Sequence, residues 1–195
     1  MARLSCILVA LICTISLSAQ NVSDSLHMKS NFKIGEVVMP LSLIGAGTLG
    51  FVEPIRNSRY EVRDFLEEWR GDHRVTADDY MQYVPLASVY GLSLLGAEAK
   101  HNYVDRTLEF AASYVFLGVV VNGIKYTVRE PRPNGLANNS FPSGHTATTF
   151  MGAELVRIEY GDESPWFSVG AYTIAAAVGV LRVYNNHHWF TDVFA

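Results

Sequence analysis

The sequence predicts an all-α fold, a helical bundle of about five to six helices embedded in or lying against a membrane. Apolar residues make up 49% of the chain and charged residues 17%, below the roughly 25% charged fraction of soluble globular chains. Uncharged runs recur at Val37 to Val52, Met81 to Ala97, Phe110 to Ile124 and Ser164 to Leu181. None of them alternates with the period of two that marks a half-buried strand. A length of 195 residues without internal repeats or low-complexity linkers bounds one domain with a sizeable core.

At the N-terminus, Arg3 precedes the apolar stretch Leu4 to Ile15, and Ser16-Leu17-Ser18-Ala19 follows before Gln20. This is the layout of a cleavable secretory signal, so residues 1–19 are set apart and 20–195 form the domain; an uncleaved anchor helix is the alternative. Both cysteines, Cys6 and Cys13, fall inside the signal, which suits export to an oxidising compartment and excludes cysteine chemistry in the mature chain.

The uncharged runs span 15 to 18 residues each and are diluted by Gly, Ala, Ser and Thr. A hydrocarbon core takes roughly 20 apolar residues to cross, so they read as weak spans or strong core helices. Val37 to Val52, with Pro40 and three glycines, is the weakest of them. Between the first two runs, Val62, Phe65, Leu66 and Trp69 recur at helical spacing among charged residues, giving an amphipathic helix for a membrane surface or a soluble core. Ser143 to Tyr160 has helical composition behind Pro142. A net charge of -4 without a basic stripe excludes nucleic acid as a partner.

Three clusters carry chemistry. Lys125-Tyr126-Thr127-Val128-Arg129-Glu130-Pro131-Arg132-Pro133 puts cations at the end of a helix that the prolines terminate. In Phe141-Pro142-Ser143-Gly144-His145, Ser143 can cap the next helix and Gly144 permits close backbone approach, an anion cradle beside a proton carrier. Arg182 ends a later helix, and His188 and Asp192, four apart, are expected on one face of the next. If consecutive helices run antiparallel, all three clusters meet at one end of the bundle.

Together they offer Lys125, Arg132 and Arg182 to a multi-oxygen anion, with backbone N–H groups from the Ser143-Gly144 turn. Phosphoryl transfer needs those parts, an in-line nucleophile and an acid for the leaving group. His188, oriented by Asp192, can attack, and His145 can protonate the departing alkoxide.

Lys-x6-Arg-Pro, Pro-Ser-Gly-His and Arg-x5-His-x3-Asp, in this order, resemble the signature of the type-2 phosphatidic acid phosphatase and vanadium haloperoxidase superfamily. The resemblance covers Lys125 to Asp192 closely. It implies a metal-free, cofactor-free helical-bundle phosphatase working through a phosphohistidine. Carried over by motif position, His188 is the nucleophile, Asp192 its orienter and His145 the general acid, while Lys125, Arg132, Ser143, Gly144 and Arg182 bind the phosphate. Two features depart from the pattern. Leu181 stands where the family usually has Ser, and the chain ends at Ala195, leaving the helix after His188 about eight residues, which reads as a truncated element. A zinc site on His188 and Asp192 is opposed by the surrounding cations.

The expected protein is therefore an exported phosphatase in the inner membrane or periplasm of a bacterium, its site facing the periplasm. Its expected partner is a phosphorylated lipid such as phosphatidic acid, an isoprenyl pyrophosphate or a lipid A phosphate, or else a small phosphate ester. The rival readings are a soluble periplasmic acid phosphatase of broad specificity and a non-catalytic anion-binding membrane protein.

Overall fold

A computed structural model describes residues 35–195; the signal expected at 1–19 lies outside the described residues. The chain divides into two units, one ending at Pro40 and one from Leu41 to Ala195. Of the first, only the opening residues of helix α1 (Gly35–Thr48) are described, and the following account concerns the second.

After a 3-10 turn at Leu49–Phe51 come α2 (Glu53–Arg70), α3 (Asp78–Met81), α4 (Val84–Leu94), α5 (Tyr103–Val128), α6 (Gly144–Tyr160), α7 (Pro165–Tyr184) and α8 (Phe190–Val193). No strand occurs among the described residues. Of the helices within the second unit, α2, α4, α5, α6 and α7 each have 11 or more residues, five long helices against the predicted five to six. Helices α3 and α8 have four residues each, so the last helix is half the expected length.

Local chemistry sets the ends. Proline occupies the first turn of α2, α4 and α7, where its missing N–H removes no helical bond. The Asn102 side chain accepts from the N–H of Val104 and of Asp105 at 3.0 Å and starts α5. That helix closes on Arg129, in the left-handed region at φ 52°, before Pro131 and Pro133.

The core sits where α6 meets α4 and α7. Ala153, Leu155, Val156 and Tyr160 pack with Leu86 and Val89 of α4 and Ala171 and Ala175 of α7. Gly152 makes this approach possible, since a Cβ there would lie 2.9 Å from the Leu86 backbone nitrogen. At the end away from the site, the Tyr160 hydroxyl donates to Val89 O at 2.6 Å, and Arg106 Nη1 donates to Tyr160 Oη and Ser93 Oγ at 2.8 Å.

Helix α5 is longer than its 15-residue uncharged run suggested. Its 26 residues have an 18-residue stretch of mean hydropathy 1.5, of which 6% is buried. Helix α7 carries a stretch of the same hydropathy, 28% buried. At 1.5 Å per residue they are about 39 and 30 Å long, enough for a hydrocarbon core. Helix α2 is amphipathic as expected, and its apolar residues lie outward, as in the membrane-surface alternative. Arg59 and Arg70 are buried, while Phe65 and Trp69 are 63% and 69% exposed.

Candidate active site

The C-terminal end of α5, the N-terminal end of α6 and the segment after α7 meet at one end of the bundle, and the loops there are laced to one another. Ser140 N–H donates to Glu130 O at 2.9 Å, Trp189 Nε1 donates to Pro131 O at 2.8 Å, and Ser143 N–H donates to Asp192 O at 2.9 Å. Asp192 Oδ2 accepts from Ser140 Oγ at 2.5 Å and from Trp189 N at 2.9 Å. The three sequence clusters are thus brought together.

His188 and Asp192 do not share a helical face, contrary to expectation. The Trp189 N–H to Asp192 carboxylate bond is half of a capping box, so α8 begins only after His188, which sits in the preceding turn. The pairing survives this change, with His188 Nδ1 3.7 Å from Asp192 Oδ2 and both side chains 1% exposed. That separation exceeds a hydrogen bond, and Nδ1 and Asp192 Oδ1 are both buried without a partner. Burial pushes the His188 imidazole down to about 4; Asp192 opposes this, and the cations of Lys125 and Arg132 add to it.

The expected phosphate-binding side chains rest on protein acceptors. Lys125 Nζ donates to Asn139 O at 2.5 Å, and Arg132 Nε to Asn139 Oδ1 at 2.8 Å. Buried Arg182 donates through Nη1 to Asp78 Oδ2 at 2.8 Å and to Asp79 Oδ1 at 3.1 Å. Ser143 caps α6 as expected, its Oγ accepting from the Thr146 N–H at 3.5 Å and from the Thr146 hydroxyl at 2.9 Å. Its own N–H is taken by Asp192 O, so the backbone donors left at this helix end are those of Gly144 and His145. Gly144 is not required by close approach, because a Cβ there would meet Lys125 Cε and Val121 Cγ1 at an ordinary 3.9 Å.

His145, half-buried at the start of α6, has Nε2 3.2 Å from Asp79 Oδ1. Burial and the Arg182 charge hold its imidazole below the usual range, against Asp79 and Asp78. The neighbouring His187 is lowered by the same two causes.

Sequence reasoning missed the acidic side of this site. Asp78 and Asp79 open a short helix, where acidic residues ordinarily serve the helix dipole, and nothing in their spacing points to Arg182. It also missed the frame behind Trp189. Arg59 lies 4.5 Å over its ring and donates to Gly50 O at 2.7 Å and Glu130 Oε1 at 2.6 Å.

A cavity of about 290 Å³ opens on Lys125 and Gly144. Its α5 wall comprises Tyr114, Leu117, Gly118 and Val121, which lie at helical spacing along the face that ends in Lys125.

Residues 106–195 match the family described as the PAP2 superfamily. Over 154 residues the chain is 36% identical to the Lipid A 1-phosphatase of Porphyromonas gingivalis, a match covering 78% of this chain and 34% of that protein. The chain thus spans about a third of the length of this curated relative. No solved structure matches it.

Proposed function

Residues 106–195 belong to the PAP2 superfamily, and from that premise we propose that the protein is an exported, membrane-associated, metal-independent phosphatase acting on a phosphate monoester or pyrophosphate group of a lipid through a phosphohistidine at His188. The observation that carries this reading is the neutral, buried His188 ring with a carboxylate behind Nδ1 and the Lys125 and Arg132 charges nearby. Nε2 attacks phosphorus in line as the bond to the leaving oxygen breaks. His145 gives its proton to that oxygen. Lys125, Arg132, Arg182 and the N–H groups of Gly144 and His145 neutralise the equatorial oxygens. His145, now neutral, takes a proton from the water that attacks the phosphohistidine, releasing inorganic phosphate and restoring both rings.

The lipid is supported by two observations. Helix α5 exposes an apolar surface of spanning length, and the cavity along its wall ends at Lys125, so an apolar tail along α5 would bring its phosphate to that ammonium. The relative's name supports a phosphorylated lipid of the lipid A kind. We place the site on the periplasmic side of the inner membrane.

The near-complete sealing of the His188 ring favours one rival, an anion-binding protein without turnover. Phosphate release from a lipid phosphate and from an aryl phosphate, in excess chelator, separates the two. The wild-type chain is expected to release phosphate, faster from the lipid, with inhibition by vanadate; His188→Ala is expected to fall to background. Release that persists in His188→Ala refutes the phosphohistidine. Vanadate binding without turnover by the wild type establishes the rival.

A further inference from the structure

We propose that Asp79 is a positioning residue that holds the His145 ring by Nε2, leaving the Nδ1 proton as the one delivered to the leaving oxygen. The inference rests on the reading of His145 as the acid and adds to it a residue from outside the three motifs.

The two adjacent carboxylates of α3 divide their work. Asp78 is 1% exposed and bonded to Arg182 Nη1 and to Asn185 Nδ2, which accounts for the buried guanidinium. Asp79 is a second carboxylate on the same Nη1, and unlike Asp78 it also reaches a histidine. Its side chain is 54% exposed, yet its Oδ1 lies within 3.2 Å of His145 Nε2 and 3.1 Å of Arg182 Nη1. Ordinarily a half-exposed carboxylate turns to water. This one is held by its bond to Arg182 and by a backbone that is anchored on both sides. Asn185 pairs with the N–H and C=O of Val75 at 3.1 and 2.7 Å, and Gln82 Nε2 donates to Asp79 O at 2.8 Å.

Charged groups near His145 come from three elements: Arg182 of α7, Asp78 and Asp79 of α3, and Lys125 of α5, whose Cε is 3.9 Å from the Cβ position of Gly144. Burial and Arg182 disfavour the imidazolium, and Asp79 favours it both by charge and by hydrogen bond. A carboxylate on Nε2 also fixes the tautomer left after proton transfer, with the remaining proton on Nε2 and Nδ1 ready to accept one from water. Asp79 itself neither gains nor loses a proton in the cycle.

The test compares full-length wild type, Asp79→Asn and Asp79→Glu in detergent micelles, by pH–rate profiles on an aryl phosphate and by NMR titration of the His145 imidazole. Asp79→Asn is expected to lower kcat about tenfold, a fraction of the 10²- to 10⁴-fold that a general acid supplies, with little change in KM. The alkaline limb of kcat/KM and the His145 midpoint should both move to lower pH, and Asp79→Glu should restore much of each. An unmoved limb and midpoint overturn the proposal. So does a lower KM at unchanged kcat, which would make Asp79 only an internal anion displaced by phosphate. If the wild type releases no phosphate, the phosphatase reading fails on its own, and an unmoved His145 midpoint still refutes the Asp79 contact.

Discussion

Lowering the pH from neutral to about 4 is expected to remove stability, while activity passes through an acidic optimum and falls only near pH 4; His188 sets much of each. Its imidazole titrates at about 4 in the folded protein against an ordinary 6.5. At about 1.4 kcal/mol for each tenfold, the fold favours the neutral ring by about 3 kcal/mol. In the unfolded chain the same ring takes its proton near 6.5. Between the two values the unfolded state holds more protons, so stability falls as the pH drops through that window. The loss attributable to this group approaches about 3 kcal/mol near pH 4. Denaturation of wild type and His188→Gln at both pH values isolates it, because the variant should lose about 3 kcal/mol less than wild type on acidification. For activity, the proposed nucleophile must be neutral, which puts the acid limb of kcat/KM near 4, and the proposed acid His145 must be protonated, which puts the alkaline limb below 6.5. The optimum is therefore acidic. An acid limb at or above 6.5, or equal acid sensitivity in His188→Gln, would refute the reasoning.

Two further outcomes follow from packing and charge. Gly152→Ala should destabilise by about 1–3 kcal/mol, because its Cβ meets backbone of Leu86 at 2.9 Å; a lower melting temperature with an unchanged pH–rate profile checks it. Glu130→Gln leaves the buried Arg59 guanidinium without its carboxylate. The expected cost is about 2 kcal/mol, below the 3–5 of a fully buried pair because Glu130 is partly exposed. Since Glu130 and Pro131 carbonyls fasten Ser140 and Trp189, kcat should fall more than KM rises, and replacing Arg59 and Glu130 together by Met should recover most of the stability in a thermal melt.

The convergence of Lys125, Arg132, Ser143, Arg182 and Asp192 was legible in the sequence because prolines and a capping serine mark the helix ends, and antiparallel helices bring those ends together. The position of His188 was misread for a physical reason. A spacing of four fits one helical turn, but it equally fits a turn followed by a capped helix, and only the Trp189 N–H bond to Asp192 decides between them. Asp78 stands 104 residues from Arg182, so no local pattern links them. In α2, nothing local marks Arg59 for burial; its partner Glu130, 71 residues away, draws it inward, while Phe65 and Trp69 stand outward.

Asp192 is where these threads join. Its carbonyl takes the N–H of Ser143, two residues before His145, and its carboxylate takes Ser140 and the residue after His188. The gap between the two histidines is therefore gauged by one amino acid rather than by how far apart the long helices stand. That arrangement leaves the outward residues of α5 and α7 free to change without altering the spacing of the two histidines.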